Sequence, residues 1–217
     1  AVISILAALV KRGATGEGSF LDCSAAEGIL ALMSLSVDQY LAEGEIAGPR
    51  QVLLTGRYAF YDVYPTKDGR WMSIGAIEPH FYKNLCNRLG LPQYADKQYA
   101  EGIQDEIRAA FRAAFLTRTR DEWTAELAAN DTCVAPVLTI PEVVQEPHWR
   151  ARGLFMEAEH EKRGVFEQLS PVLAGAVRAH PKHTVRTGDD TDSEALLALA
   201  GLSREAIAKL LAEGAVE

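Results

Sequence analysis

The 217-residue sequence predicts a mixed α/β protein. Three observations predict it. Aromatic and β-branched runs flank turn-forming residues in "YAFYDVYPTKDGRWMSIGA" and "LFMEAEHEKRGVFEQL", which is the chemistry of β-hairpins. Around them, apolar residues recur at three-or-four spacing over stretches long enough for helices. With 48% apolar and 24% charged residues, the composition is that of an ordinary globular chain able to bury a real core.

The elements come in this order. "AVISILAALV" meets Lys11 and Arg12 and reads as a buried helix over 2–12, ended by Gly13. A secretory signal would carry its charge before the apolar run, and a membrane span needs about twice that length. "GATGEG" is a turn, without the strand or spacing of a dinucleotide loop. "SFLDCS" reads as a short buried strand. Ser24 then caps a helix running to about Glu43. Gly44, Gly48, Pro49 and Gly56 punctuate a linker. In the first hairpin, Asp68 and Gly69 are expected to supply the positive backbone angles of the turn. Helices come next at about 79–90, 101–117 and 120–130, the last opened by a Thr119–Glu122 capping box. "CVAPVLTI" is a further strand, and Pro141 sits in the first turn of the next helix. The second hairpin turns at Lys162 to Gly164. Pro171 to Gly188 is extended, and helices close the chain at about 192–200 and 204–213, with Ser203 as a cap.

Charge and cysteine usage narrow the class. A formal net charge of −8 disfavours nonspecific binding to nucleic acid or anionic membrane. Cys23, Cys86 and Cys133 form no C-x-x-C pair, and their odd number fits a reducing compartment without a disulfide framework. They lack metal-ligand spacing and histidine partners, so no metal site is expected. Cys23 and Cys133 fall in apolar runs and are expected in the core. There is no G-x-S-x-G, and His80, His148, His160, His180 and His183 lack a matched acid and nucleophile, so each is assigned to surface or structure.

One acid stands out. Glu78 joins the strand "WMSIGAI" to a helix that opens with Pro79, where a missing N–H is harmless. The dipole and free N–H groups of the helix start favour a carboxylate there. Glutamate is nevertheless a poor cap compared with Ser, Thr, Asp or Asn. The preceding Gly75 suggests that something approaches the backbone closely. Glu78 is therefore either a helix-starting residue or a group held for chemistry. Similarly, the stripe of Tyr58, Phe60, Tyr61 and Tyr64 either packs a sheet or walls an acyl or pantetheine chain.

The first hairpin and the helix after it resemble the class III CoA-transferase family (CaiB/BaiF), and within it the α-methylacyl-CoA racemases. The shared pattern consists here of Tyr61, Tyr64, Thr66, Asp68, Gly69, Met72, Gly75, Ala76, Glu78, Pro79, Phe81 and Tyr82. "KRGATGEGSFLDCSAAEG", "CVAPVLTIPEVVQEPHWRARGLF" and "GLSREAIAKLLAEGAV" are similar to further family segments. The resemblance implies a two-domain α/β fold in an interlocked homodimer. Residues 1–56 would end an incomplete large CoA-binding domain and its linker helix. Residues 57–165 would form the small α+β domain, and 166–217 a linker returning to the large one. It also implies that the chain is the C-terminal portion of such a protein. A Gly-rich loop with an aspartate, and the racemase histidine, would lie upstream.

From the resemblance, Glu78 takes the active-site role of partner to that histidine, while Tyr61 and Ile77 line the acyl pocket. His80 departs from the family's glutamine and receives no role. The implied substrate is an acyl-CoA thioester, with coenzyme A as part of the substrate and no separate cofactor. The implied partner is a second copy or an N-terminal half or subunit, and the implied compartment is cytoplasmic. Three activities are open: inversion of the carbon α to a thioester, CoA transfer between acids through an aspartyl-CoA thioester, or a non-catalytic fragment or subunit. Lacking the large-domain sheet, the 2–12 helix is expected to strand apolar surface and make the chain self-associate.

Overall fold

Helices and two small sheets alternate along the chain in a computed structural model that describes residues 1–175, 182–187 and 191–216. His180 and Gly188, at the end of the expected extended stretch, lie outside the described residues. Two compact units are formed, Ala1–Val137 and Leu138–Glu217.

The first unit opens with α1 (Val2–Thr15), α2 (Ala25–Leu32) and α3 (Ser34–Glu43). Ser24 caps α2 as expected, its hydroxyl accepting from the Glu27 N–H at 3.4 Å. Three expectations are corrected here. Helix α1 runs through Gly13, because a single helical glycine costs only about 1 kcal/mol. It stops where Gly16 adopts a left-handed φ of 76° and its N–H bonds the Arg12 carbonyl. "SFLDCS" has no strand to pair with, so it stays irregular and exposed, Cys23 included. The helix expected over 24–43 is interrupted at Met33. None of the three helices buries a residue, and Val2, Ile3, Leu6, Leu9 and Val10 expose an apolar stripe at three-or-four spacing.

A three-stranded antiparallel sheet comes next, built from β1 (Tyr61–Pro65), β2 (Trp71–Gly75) and β3 (Val134–Val137) with β2 in the centre. Between β2 and β3 lie α4 (Pro79–Arg88), α5 (Gln104–Phe115) and α6 (Arg120–Leu127). The two-residue period of a strand sends Tyr64, Met72, Ile74 and Val134 to the inner face. There they join Phe60, Tyr82, Leu85, Ile107, Phe111, Phe115, Trp123 and Leu127 in one core. Two polar tips inside are satisfied: the Tyr64 hydroxyl donates to the Ala59 carbonyl at 2.7 Å, and the Trp123 indole N–H to the Phe115 carbonyl at 2.9 Å, whereas the buried Tyr82 hydroxyl has no hydrogen-bond partner among the described residues. The Thr119–Glu122 capping box opens α6 as the spacing requires.

The β1–β2 turn differs from expectation in one respect. Only Gly69 has a positive φ, 75°; Asp68 does not. Asp68 is instead occupied by its side chain, which accepts from the buried Thr66 hydroxyl at 2.5 Å and from the Arg120 N–H at 3.2 Å. The Thr66 bond foremost, and then the Arg120 N–H, hold the Asp68 carboxyl below its ordinary value of 3.8. A depressed folded value adds stability above 3.8 that is lost as pH falls through the folded value. Thermal unfolding of Asp68→Asn against pH should therefore show a shallower fall in Tm than wild type below that point. Parallel curves would remove the charge from this account.

The second unit contains α7 (Ile140–Gln145), α8 (Pro147–Ala151), β4 (Phe155–His160), β5 (Gly164–Leu169), β6 (His183–Val185), α9 (Ser193–Leu199) and α10 (Arg204–Ala212). The hairpin read over 154–169 is β4–β5, and β6 lies parallel to β4. Arg150 grips the Glu167 carboxylate with two guanidinium nitrogens and lies over the Phe155 ring, tying α8 to the sheet. Ser203 caps α10 through the Ala206 N–H at 3.3 Å. Among the described residues, no helix is long and apolar enough to cross a membrane, and no His, Cys, Asp and Glu group could hold a metal ion.

Candidate active site

The outer face of the first sheet carries the residues that the inner face cannot use. Tyr61 and Gly75 are register partners, as are Val63 and Ser73. Alternation sets all four on the face opposite Tyr64, Met72 and Ile74, and with Leu54, Thr55 and Gly56 of the linker they border an open cavity of about 500 Å³, the partly buried Tyr61 also packing against the core. The linker is pinned there by Arg108, which donates to the Gly56 and Arg57 carbonyls and pairs with Asp62 at 3.1 Å. A Cβ at Gly75 would meet only the Tyr61 ring at 3.8 Å and the Cys133 carbonyl at 4.0 Å, both ordinary contacts. Gly75 also has no positive φ. Nothing within the chain demands glycine at this point on the cavity wall.

Beyond Gly75 the chain leaves the sheet and delivers Glu78 to the start of α4. That short passage is held at every backbone group the fold can reach. The Gly75 N–H bonds the Cys133 carbonyl at 2.9 Å and the Ala76 N–H bonds the Phe60 carbonyl at 3.1 Å. The Ala76 and Ile77 carbonyls both accept from the Gln98 amide nitrogen, at 3.1 and 2.7 Å. Ile77 packs its side chain against the core rather than into the cavity, and its carbonyl also accepts from the Tyr99 hydroxyl at 3.4 Å.

Glu78 occupies the N-cap position with extended backbone, φ −72° and ψ 137°. Its side chain makes no capping hydrogen bond, and among the described residues it forms no ion pair. Glutamate is one methylene too long to fold back onto the N2 and N3 amides as aspartate does. The sequence-derived picture of a carboxylate clasped by helix amides is thus corrected: Glu78 is a cap by position, with its carboxylate free and exposed. Its charge is felt across the turn. Partial burial first, and then the negative charges of Glu78 and Asp131, raise the Cys133 thiol above its ordinary value. Cys133 is exposed, not core as the sequence suggested, and it is held as a thiol rather than a nucleophilic thiolate.

The loop bearing Cys133 is strained. Asp131 and Cys133 adopt left-handed φ values of 47° and 48° on either side of buried Thr132. The Thr132 hydroxyl donates to the Leu127 carbonyl at 2.9 Å, and the Asn84 amide donates to the Asp131 carbonyl at 3.1 Å. This bracing places the Cys133 carbonyl where Gly75 needs an acceptor.

Two contributors escaped sequence reasoning. Gln98 and Gln104 are each only 7% exposed. The Gln104 amide nitrogen donates to the Gln98 and Ala100 carbonyls, and its oxygen accepts from the Ala59 N–H at 3.0 Å. Glutamine is mostly a surface residue, and "KQYAEGIQ" carries no pattern that marks two of them as buried.

The model of CoA-transferase family III matches residues 1–187. α-Methylacyl-CoA racemase of Homo sapiens is 35% identical over 219 residues, covering 99% of this chain and 56% of that protein. Succinyl-CoA–D-citramalate CoA-transferase of Chloroflexus aurantiacus is 28% identical over 158 residues, covering 70% of this chain and 39% of that protein. Among solved structures, Rv3272 of M. tuberculosis superposes with a TM-score of 0.63 at 22% identity, covering 82% of this chain and 49% of that one. A CAIB/BAIF family protein from Brucella suis does so with a TM-score of 0.52 at 26% identity, covering 71% and 42%. The chain spans about half the length of the curated relatives it matches.

Proposed function

This chain belongs to CoA-transferase family III, and from that premise we propose that it forms part of an acyl-CoA racemase. The reaction inverts the carbon α to a thioester. A base removes the weakly acidic α-proton from one face, an enolate forms, and a proton returns on the other face. A histidine base works better when a carboxylate orients it and stabilises its protonated form. Glu78 fills that role toward a histidine supplied by polypeptide outside these 217 residues. Tyr61 and Ile77 belong to the acyl side of the pocket, Tyr61 through its ring on the cavity wall and Ile77 through the turn it anchors.

The observation that carries this reading is the free Glu78 carboxylate at the end of a turn whose backbone is fully engaged. A carboxylate with no partner of its own, on a rigid support three residues beyond Gly75 of the cavity wall, is suited to meet a group arriving from elsewhere. The bare backbone of Gly75 leaves space for a ligand on the same wall. The 35% identity to a racemase over nearly the whole chain adds support.

On this reading 57–165 is the small domain, and 1–56 with 166–217 belong to the large one. The functional protein is an interlocked homodimer acting in the cytoplasm on an acyl-CoA thioester, with no separate cofactor. The test is incubation of the complete protein with one enantiomer of a 2-methylacyl-CoA in deuterated water. Deuterium should enter the α-carbon as optical purity is lost. The transferase relatives favour one rival, transfer of CoA between two acids through an aspartyl-CoA thioester. Ping-pong transfer of CoA to a second carboxylate without α-exchange would decide for that rival.

A further inference from the structure

We infer that Gln98 is the positioning residue for Glu78, an assignment that rests on the catalytic reading of that carboxylate and extends it to a residue outside the pocket. A primary amide nitrogen carries two hydrogens. At Gln98 they meet the Ala76 and Ile77 carbonyls, the last two acceptors before Glu78. The side chain thus spans two successive carbonyls of the turn, and together with the Gly75–Cys133 bond it fixes the passage.

Gln98 is in turn held by its own carbonyl, which accepts from Gln104 at 3.1 Å. Gln104 sits at the first position of α5, and its oxygen receives the Ala59 N–H next to Phe60, whose carbonyl binds Ala76. Two buried amides therefore link α5, the segment before β1 and the Glu78 turn in one closed circuit. Buried amide donors engaged in this way favour one geometry and penalise others. No other side chain of the 92–103 segment has this chemistry in reach: Tyr99 supplies a single, longer contact to Ile77. Asparagine would be one methylene too short for the span, and an ionised glutamate would face two carbonyls without a hydrogen to offer.

The test uses the complete protein. Gln98→Met keeps the length and removes both donors, whereas Gln98→Glu keeps one donor only while its carboxyl is protonated. Gln98→Met is expected to lower kcat for α-proton exchange about tenfold, with KM changed less than about twofold, because substrate binding is spared while the catalytic group drifts. Amide hydrogen exchange should rise at Ala76 and Ile77 while the β1–β2 ladder keeps its protection. Gln98→Glu should lose activity progressively as pH rises through its carboxyl titration, a limb absent from wild type and from Gln98→Met. In a Glu78→Gln background, Gln98→Met should produce little further loss. The inference is overturned if Gln98→Met keeps kcat within about twofold of wild type, if its loss adds in full to that of Glu78→Gln, or if the Ala76 and Ile77 amides exchange as before. Should Gln98→Met fail to fold, the pH limb of Gln98→Glu decides alone. Failure of the underlying reading looks different: Glu78→Gln by itself would then leave exchange untouched, which removes the carboxylate and the role of Gln98 together.

Discussion

Glu78→Gln in the complete protein should slow α-proton exchange by about 100-fold or more, the scale on which acid–base catalysis and its orienting carboxylates act. The substitution keeps the shape and one acceptor oxygen, removes the charge and replaces the second oxygen with an amide donor. Because the side chain is exposed and makes no capping bond, stability should move by less than about 0.5 kcal/mol. That contrast separates the two roles a helix-start acid can have. A capping residue would lower Tm and spare the chemistry; a histidine partner does the reverse. Deuterium wash-in at the α-carbon, run beside thermal unfolding, reads both. Unchanged wash-in removes Glu78 from the mechanism, and a fall in Tm matching the fall in rate returns it to structure.

The second large effect is on assembly. Helices α1 to α3 bury no side chain, and Phe20 and Leu32 are 95% and 89% exposed. An apolar surface of that extent on one chain is a contact surface. Produced alone, the 217-residue chain should sediment as dimers or larger species. Leu6→Glu or Val10→Lys on the α1 stripe should weaken that association by about tenfold or more each, from the loss of a buried aliphatic side chain. A monodisperse monomer at micromolar concentration would show that this surface tolerates water. On the family reading, the large-domain sheet covers it in the complete protein.

The sequence displays the parts of this fold that rest on local chemistry. Both hairpins, the Thr119–Glu122 box and the Ser24 and Ser203 caps arise from residues a few positions apart. Features that depend on distant partners are less legible. "SFLDCS" has strand composition but finds no neighbour to pair with, and α1 has a core stripe but no core. The site divides in the same way. Glu78 is visible because an acid beside Pro79 is a local oddity, and Tyr61 because it stands in the aromatic stripe of Tyr58, Phe60, Tyr61 and Tyr64. The loss of its capping bond, the exposure of Cys133 and the grip of Gln98 arise from packing between segments far apart in the chain. No spacing rule announces them.

The Asp131–Cys133 bend has a consequence for engineering. Each non-glycine residue held at such an angle costs about 1 kcal/mol or more, so selection for heat resistance should favour glycine there. Cys133→Gly would relax the bend and raise the melting point. The same relaxation would free the peptide oxygen that accepts from the Gly75 N–H, and with it the turn that leads to Glu78. On the proposed function, thermostable descendants obtained this way should prove slower catalysts, with heat resistance and turnover moving in opposite directions at one bend.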